Sequence, residues 1–530
     1  MGSRIPLRRV CLLIIYCLVL YGLLLGAVPL LDPDEPVYGE TAKEMLATGD
    51  WLSPRIYGAF WYDKPPLFYW LDGLSFSVLG ISTAAARLPS VLAGAACSVY
   101  TYLASRKIIR ERAAFLGALI LASSLEYIVL ARSAVTDMTL TLSLTVALLS
   151  FLRKEYVPAY IACGVALLAK GPIGFGFPAL IVGLWLLACK KLNWTSITAL
   201  RWYWGIPLAC LVGLPWFIYM TAMHGNAFID TFLGYHNLTR FTSPEHEGAN
   251  HLFFYIIVLL AGFYPWFAAV PGALHLAWKN RKNEEPLYFF IWALFIFIFF
   301  SLSSTQLFSY ILPMFPPLAL LAGMYLANIE SRGRPSAVFP LLHILCGAVT
   351  AAAVGWTPLV PAGGIPLRMA IAIGMVVLTF LAAWLIYKGK VSLFLFCQAG
   401  LSLLFTLSVW YLFAAPVASS FTSKAIAERL TATPANGPLY IDSFYRPGVA
   451  FYGDLYGKPL PSLSAAALKK EKQDQRQHIL LPGETDETDI PAGSYVLIQK
   501  KLLPEARKNE FTVIWQQDTA YLLRKEAHRD

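Results

Sequence analysis

Long apolar runs separated by short polar stretches dominate the chain. The first extends from Val10 to Leu31, and others follow near 84–104, 113–131, 137–152, 156–169, 172–189, 203–223, 251–277, 286–303, 307–328, 336–356, 367–387 and 391–414. A helix crosses a bilayer with roughly 20 apolar residues. The pattern therefore predicts an all-α polytopic membrane protein with about thirteen transmembrane helices, some of them short. Basic clusters recur at every second boundary: Arg4, Arg8 and Arg9; Arg106, Lys107, Arg110 and Arg112; Arg153 and Lys154; Lys190, Lys191 and Arg201; Lys279, Arg281 and Lys282; Arg332 and Arg334; Lys388 and Lys390. The positive-inside rule places these on the cytoplasmic side, with the N-terminus. An odd number of spans sends the C-terminus out. The first run is too long for a signal-peptide core and lacks a small-x-small cleavage site, so it reads as an uncleaved helix.

Beyond about residue 415 the pattern changes. Short apolar runs at Leu439–Ile441, Gly448–Tyr452, Ser494–Gln499, Thr512–Trp515 and Ala520–Leu523 read as strands. Ser423–Leu430 reads as a helix, and Leu468–Gln477 is a charged stretch. This predicts a small α/β domain outside the membrane over 416–530, after a transmembrane domain over 1–415. It contains no glycine fingerprint for a nucleotide.

Composition agrees with the pattern. The chain of 530 residues is 57% hydrophobic and 14% charged, with mean hydropathy +0.57. Its net charge of +10 comes mostly from the short cytoplasmic clusters, so it does not point to nucleic acid. The eight cysteines lie in or beside apolar runs without metal-ligand spacing, and read as small core residues.

The informative charges are those on the outer side. Lys64, Arg87, Arg132, Lys170 and Arg240 break the positive-inside pattern, and Asp34, Glu35, Asp63, Asp137, His236 and Glu245–Glu247 accompany them. Charges near membrane depth are candidates for function. The acidic pair Asp34-Glu35 stands where the first run stops. Asp34 reads as an N-cap with Pro36 at the first helical position, Tyr38, Ala42, Met45 and Leu46 share a face, and Gly49 ends the helix. A carboxylate there can also serve as a general base, or orient an acceptor oxygen. Lys64 precedes Pro65-Pro66 and so sits at a helix N-terminus, where anions collect. Lys170 lies in a helix break, Ala169-Lys170-Gly171-Pro172, on the side where lysine is disfavoured. Both point to a phosphate. Asp137 reads as a cap, and the spacing of His236 and its neighbours matches no strong metal motif.

The order of these motifs, with Glu44–Trp51, Gly262-Phe263-Tyr264-Pro265-Trp266 and Tyr310-Ile311-Leu312-Pro313, resembles one family. It is that of the integral-membrane glycosyltransferases of the GT-C type that take sugars from polyprenyl phosphates. The aminoarabinose transferases are the nearest group, and the protein O-mannosyltransferases are related. The resemblance implies an enzyme of the inner membrane that moves a sugar from an undecaprenyl-phosphate-linked donor to a lipid-A-like acceptor on the periplasmic side. It further implies amphipathic outer-face helices within 32–83 and a periplasmic C-terminal domain. Asp34 and Glu35 match the acidic catalytic pair. Tyr38, Lys64, Asp137, Lys170, Arg240 and Tyr310 match substrate-binding positions. Asp63 and His236 match places for a divalent metal ion that need not be catalytic. No cofactor is required, and a monomer is expected. Two departures bear on the acceptor and the sugar. Val37 stands where the family often has arginine, and Ser303-Ser304-Thr305-Gln306 stands where it often has lysines. A transporter would show paired repeats and polar groups at mid-membrane; here there is no repeat, and the polar groups gather at one face. A protein acceptor is the alternative within the enzyme reading.

Overall fold

The structure is a computed structural model that describes residues 6–239, 253–333, 335–356, 365–408, 418, 421–432, 437–441, 446–459, 490–499, 503, 511–517 and 520–525, the side chains of 235–239, 365, 407, 459, 499, 517 and 520 excepted. The chain divides into two compact units: Met1–Leu25, Lys64–Phe68 and Arg87–Phe413; and Gly26–Asp63, Tyr69–Ala86 and Ala414–Asp530. The sequence division at residue 415 assigns 26–63 and 69–86 to the first part, whereas in space they group with the C-terminal segment.

The first unit is helical. Among the described residues, six helices are long and apolar enough to cross a membrane: Thr83–Ser105, Trp202–Gly234, Glu284–Ser301, Phe308–Arg332, Val338–Trp356 and Pro366–Tyr387. Two bent pairs raise this to eight: Glu111–Ser123 with Leu125–Ala131, and Phe254–Gly262 with Phe267–Lys279. Several expected spans are shorter helices, including Leu7–Gly22, Asp137–Leu152, Tyr156–Lys170 and Ile173–Ala188, of 15 or 16 residues. Such helices are about 24 Å long, less than the hydrocarbon thickness of about 30 Å. Helices approach closely where side chains are small. A Cβ on Gly323 would stand 2.4 Å from the Ala113 carbonyl, and one on Gly117 2.9 Å from Leu320. On Trp202–Ile229 the exposed Leu211, Leu214 and Ile218 form an apolar stripe of the kind that faces lipid in a membrane helix.

The first apolar run is not helical to its end. The helix stops at Gly22, nine residues before Leu31. Its terminal carbonyls explain why. Arg132, only 3% exposed, donates from its guanidinium to the Leu20, Tyr21 and Leu23 carbonyls at 3.0, 3.0 and 2.8 Å. Buried Arg87 donates to the Leu25 carbonyl at 2.9 Å. A cation at a helix C-terminus satisfies orphan acceptors and the dipole together. These two arginines, expected among the charges of the outer chemistry, serve the end of the first helix.

The second unit contains a five-stranded mixed sheet in the order Lys458–Pro459, Leu439–Ile441, Tyr495–Gln499, Ala520–Lys525, Phe511–Gln517. The first three are parallel, and the hairpin of the last two is antiparallel. Helices Lys424–Ala432 and Pro447–Gly453 accompany it. The expected strand at Gly448–Tyr452 is thus a helix: Pro447 opens it, and Asp454 ends it in the left-handed region. Leu468–Gln477 falls outside the described residues.

Candidate active site

In the first unit, the helix break at Gly171 places Lys170 at the end of Tyr156–Lys170, and Asp137 opens the helix Asp137–Leu152. The hairpin admits no side chain at Gly174, where a Cβ would lie 2.3 Å from the Ala166 backbone. The Thr136 hydroxyl ties the two helix ends by donating to the Ala169 carbonyl at 2.8 Å. In this frame the Lys170 ammonium lies 2.6 Å from the Asp137 carboxylate, with both side chains at least 85% buried. It also lies 4.9 Å from the centre of the Tyr310 ring, a cation–π contact. Tyr310 belongs to the 3₁₀ segment Phe308–Met314, and its ring packs 5.1 Å from that of Phe300. The Tyr255 hydroxyl holds the start of that segment through the Leu307 carbonyl at 3.1 Å. Three residues singled out from sequence, Asp137, Lys170 and Tyr310, therefore meet. Lys64 is half-buried in the bend before Leu67–Leu79, in agreement with the expected helix start. The loop 303–306 buries Ser303, Thr305 and Gln306 and carries no cation.

In the second unit, Asp34 is exposed and is the first residue of the helix Asp34–Thr48. The expected N-cap is displaced by one residue: Pro33 occupies that position, no side chain caps the helix, and the next acid, Glu35, reaches back past it. Its Oε2 accepts the Leu31 N–H at 3.0 Å, and its side chain is buried. Tyr38, Ala42 and Met45 face inward as expected, and Gly49 ends the helix with φ 71°. The Tyr38 ring lies 5.6 Å from that of Tyr69.

Several polar groups of this stretch fasten it to the C-terminal segment, and others tie it to itself. Asp32 Oδ1 accepts the Gly448 N–H at 2.8 Å, and the Tyr452 hydroxyl accepts the Leu30 N–H at 2.7 Å. Lys43 donates to the Ala450 carbonyl at 2.7 Å and pairs with Asp454 at 2.6 Å and Glu40 at 3.2 Å. Glu44 accepts the Gly58 N–H at 3.0 Å. Burial pushes the Asp32 carboxyl up to about 6 against its hydrogen bonds, and the Glu40 carboxyl up to about 7 against Lys43.

Arg240 and the side chain of His236 lie outside the described residues. Asp63 is described, and no group of three or more His, Cys, Asp or Glu positioned for a metal occurs among the described residues. Two carboxyls went unnoticed in the sequence, Asp72 and Glu126, buried within the helices Leu67–Leu79 and Leu125–Ala131. Their only sequence signal is a lone acid inside an apolar run.

Similarity to known proteins completes the description. A family model for dolichyl-phosphate-mannose-protein mannosyltransferases matches residues 7–226. The undecaprenyl phosphate-alpha-4-amino-4-deoxy-L-arabinose arabinosyl transferase of Edwardsiella ictaluri is 30% identical over 385 residues, 68% of each chain. That of Pectobacterium atrosepticum is 30% identical over 367 residues, 66% of this chain and 65% of the relative. Alignment thus spans about two thirds of the length of these relatives. In fold, the chain is similar to the crystal structure of ArnT from Cupriavidus metallidurans bound to undecaprenyl phosphate, with TM-score 0.80, 22% identity and 99% of each chain covered. It is also similar to the Archaeoglobus fulgidus oligosaccharyltransferase in the apo form, with TM-score 0.53, 13% identity, and 99% of this chain and 74% of that one covered.

Proposed function

Since the chain belongs to the family of the undecaprenyl-phosphate aminoarabinose transferases, GT-C membrane glycosyltransferases related to the protein O-mannosyltransferases, we propose that it transfers a sugar from undecaprenyl phosphate to a lipid acceptor at the periplasmic face of the inner membrane. An acceptor oxygen attacks the anomeric carbon. The carbon–oxygen bond to phosphate breaks, polyprenyl phosphate leaves, and Asp34 takes the acceptor proton or orients the oxygen. Phosphate is already a good leaving group, so cations at the phosphate count for more than a proton donor. Lys170 and Lys64 are the residues for that role, Tyr310 lines the place of Lys170, and Asp137 holds the Lys170 ammonium. Tyr38 and Arg240 complete the substrate contacts of this reading. Asp63 and His236 are its places for a metal ion outside the chemistry.

The Asp137–Lys170–Tyr310 cluster carries the reading. A largely buried ammonium beside a tyrosine ring, in a helix break, is a site prepared for an anion that can displace part of its carboxylate pairing. Thirteen spans, a cytoplasmic N-terminus and a periplasmic C-terminus belong to the same reading and rest on the alternating basic clusters. The periplasmic placement of 416–530 follows from the same alternation, and a monomeric state is part of the reading.

The test is transfer from undecaprenyl-phosphate-linked sugars by the purified chain in lipid, with mass spectrometry of lipid, wall-polymer and protein acceptors. Asp34→Asn should lower the rate more than tenfold, about 1.4 kcal/mol of barrier or greater, while the protein inserts normally. A rate above a tenth of the parent's removes Asp34 from catalysis. Label appearing on protein rather than lipid would favour the mannosyltransferase-like alternative.

A further inference from the structure

Asp72 has no role in the reading above. It lies on Leu67–Leu79 with Phe68, Tyr69 and Phe76, all buried, at the three- and four-residue spacings that share one helix face. A carboxyl in the middle of such a face is costly unless it is paired. Yet Asp72 is 0% exposed, and neither of its oxygens has a hydrogen-bond partner among the described residues.

The group that acts on it is another carboxyl. Tyr38 and Tyr69 bring the helices Asp34–Thr48 and Leu67–Leu79 together with ring centres 5.6 Å apart. Glu35 lies one turn before Tyr38, and Asp72 one turn after Tyr69. At this second level a carboxyl on one helix interacts with a carboxyl on the other. Two carboxyls buried together do not both ionise; one keeps its proton. Glu35 already accepts the Leu31 N–H, whereas Asp72 accepts no hydrogen bond among the described residues. Burial first, and Glu35 second, push Asp72 well above the usual carboxyl range. A further titratable neighbour is Tyr69, itself held well above its ordinary value by burial, with Asp63 acting on it in turn.

We propose that Asp72 is a positioning residue: it is the proton-bearing half of a Glu35–Asp72 carboxyl pair, and through Glu35 it holds the turn that presents Asp34. The proposal rests on the catalytic reading of Asp34. With the proton in place, Glu35 remains both the acceptor of the Leu31 N–H and the partner of Asp72. When the proton leaves at alkaline pH, two buried carboxylates repel each other, and the first turn carrying Asp34 shifts.

The experiment measures transfer rate against pH and donor concentration for the full-length parent, Asp72→Asn, Asp72→Ala and, in the same assay, Asp34→Asn. Asparagine keeps the shape and a donor but cannot ionise. Asp72→Asn should keep the neutral-pH rate within about threefold and lose the parent's alkaline decline. Asp72→Ala should lower kcat by about tenfold or more, with donor KM within about twofold. An alkaline limb in Asp72→Asn identical to the parent's would overturn the proposal. So would an Asp72→Ala variant as active as the parent. If Asp72→Ala fails to fold, the limb of Asp72→Asn decides alone. Loss of activity in Asp34→Asn together with an unmoved limb in Asp72→Asn would sink the pair and spare the catalytic reading. An active Asp34→Asn would sink the catalytic reading itself.

Discussion

The Lys170–Asp137 pair shows how a single contact can serve stability and chemistry by different amounts. Both side chains are largely withdrawn from water, so deleting either partner strands a charge. Such losses run to about 3–5 kcal/mol, whereas replacing both partners by apolar groups of similar volume is often neutral. Lys170→Ala and Asp137→Ala should therefore each lower the unfolding temperature and abolish transfer. The double variant Lys170→Met/Asp137→Leu should recover the temperature but not the rate. Thermal unfolding in detergent and initial rates over a donor series separate the two effects. If the double variant transfers sugar, Lys170 is a fold residue only. Lys170→Arg should rescue poorly, since a planar fork replaces a compact ammonium above the Tyr310 ring. Lys170, Asp137 and Tyr310 were legible in the sequence because each breaks a local rule at the boundary of an apolar run or matches a family position. Their meeting was not legible, since the separations of 33 and 140 residues carry no spacing rule.

At the level of elements, sequence pattern found most helices and missed how some of them end. The run Val10–Leu31 is apolar throughout, and hydropathy alone cannot tell where its backbone leaves the helix. Three carbonyls satisfied by Arg132, more than a hundred residues away, decide it. Arg132→Met should remove hydrogen bonds to a charged group, each worth about 1.5–3 kcal/mol, and destabilise the first unit by several kcal/mol. Arg132→Lys should recover only part, for want of a fork. Chemical unfolding in detergent measures both. An Arg132→Met variant as stable as the parent would mean that water or lipid headgroups cap the helix equally well. Gly448–Tyr452 teaches the complementary lesson. A short apolar run is ambiguous between strand and helix, and the arbitrating signal was the Pro447 before it, which suits a first helical turn.

Across the whole molecule, the chain builds its second unit from three separate stretches, and buried acids hold two of them together. Asp32 receives the Gly448 N–H, and Glu40 lies against Lys43, which in turn holds the Ala450 carbonyl and Asp454. Burial is the largest cause of both shifts, raising Asp32 from 3.8 to about 6 and Glu40 from 4.5 to about 7. The sign follows from which form the fold prefers. Both acids bind their protons more tightly in the folded state than in the unfolded one. Their contribution is thus complete below the unfolded values, and it is lost as pH rises through about 6 and about 7. Each raised carboxyl corresponds to about 3 kcal/mol at most. The junction of 26–63 with 439–453 should accordingly be tighter at pH 5 than at pH 8. Asp32→Asn and Glu40→Gln, which cannot ionise, should flatten that dependence. Hydrogen exchange of peptides from both stretches, compared between parent and variants at each pH, is the appropriate measurement because it reads local opening in the intact chain. A parent-to-variant difference in protection that stays constant from pH 4.5 to 8 would show that neither acid carries its proton in the fold. The fastening would then come from the neutral hydrogen bonds of Tyr452 and Tyr57 with the Leu30 N–H and the Arg446 carbonyl.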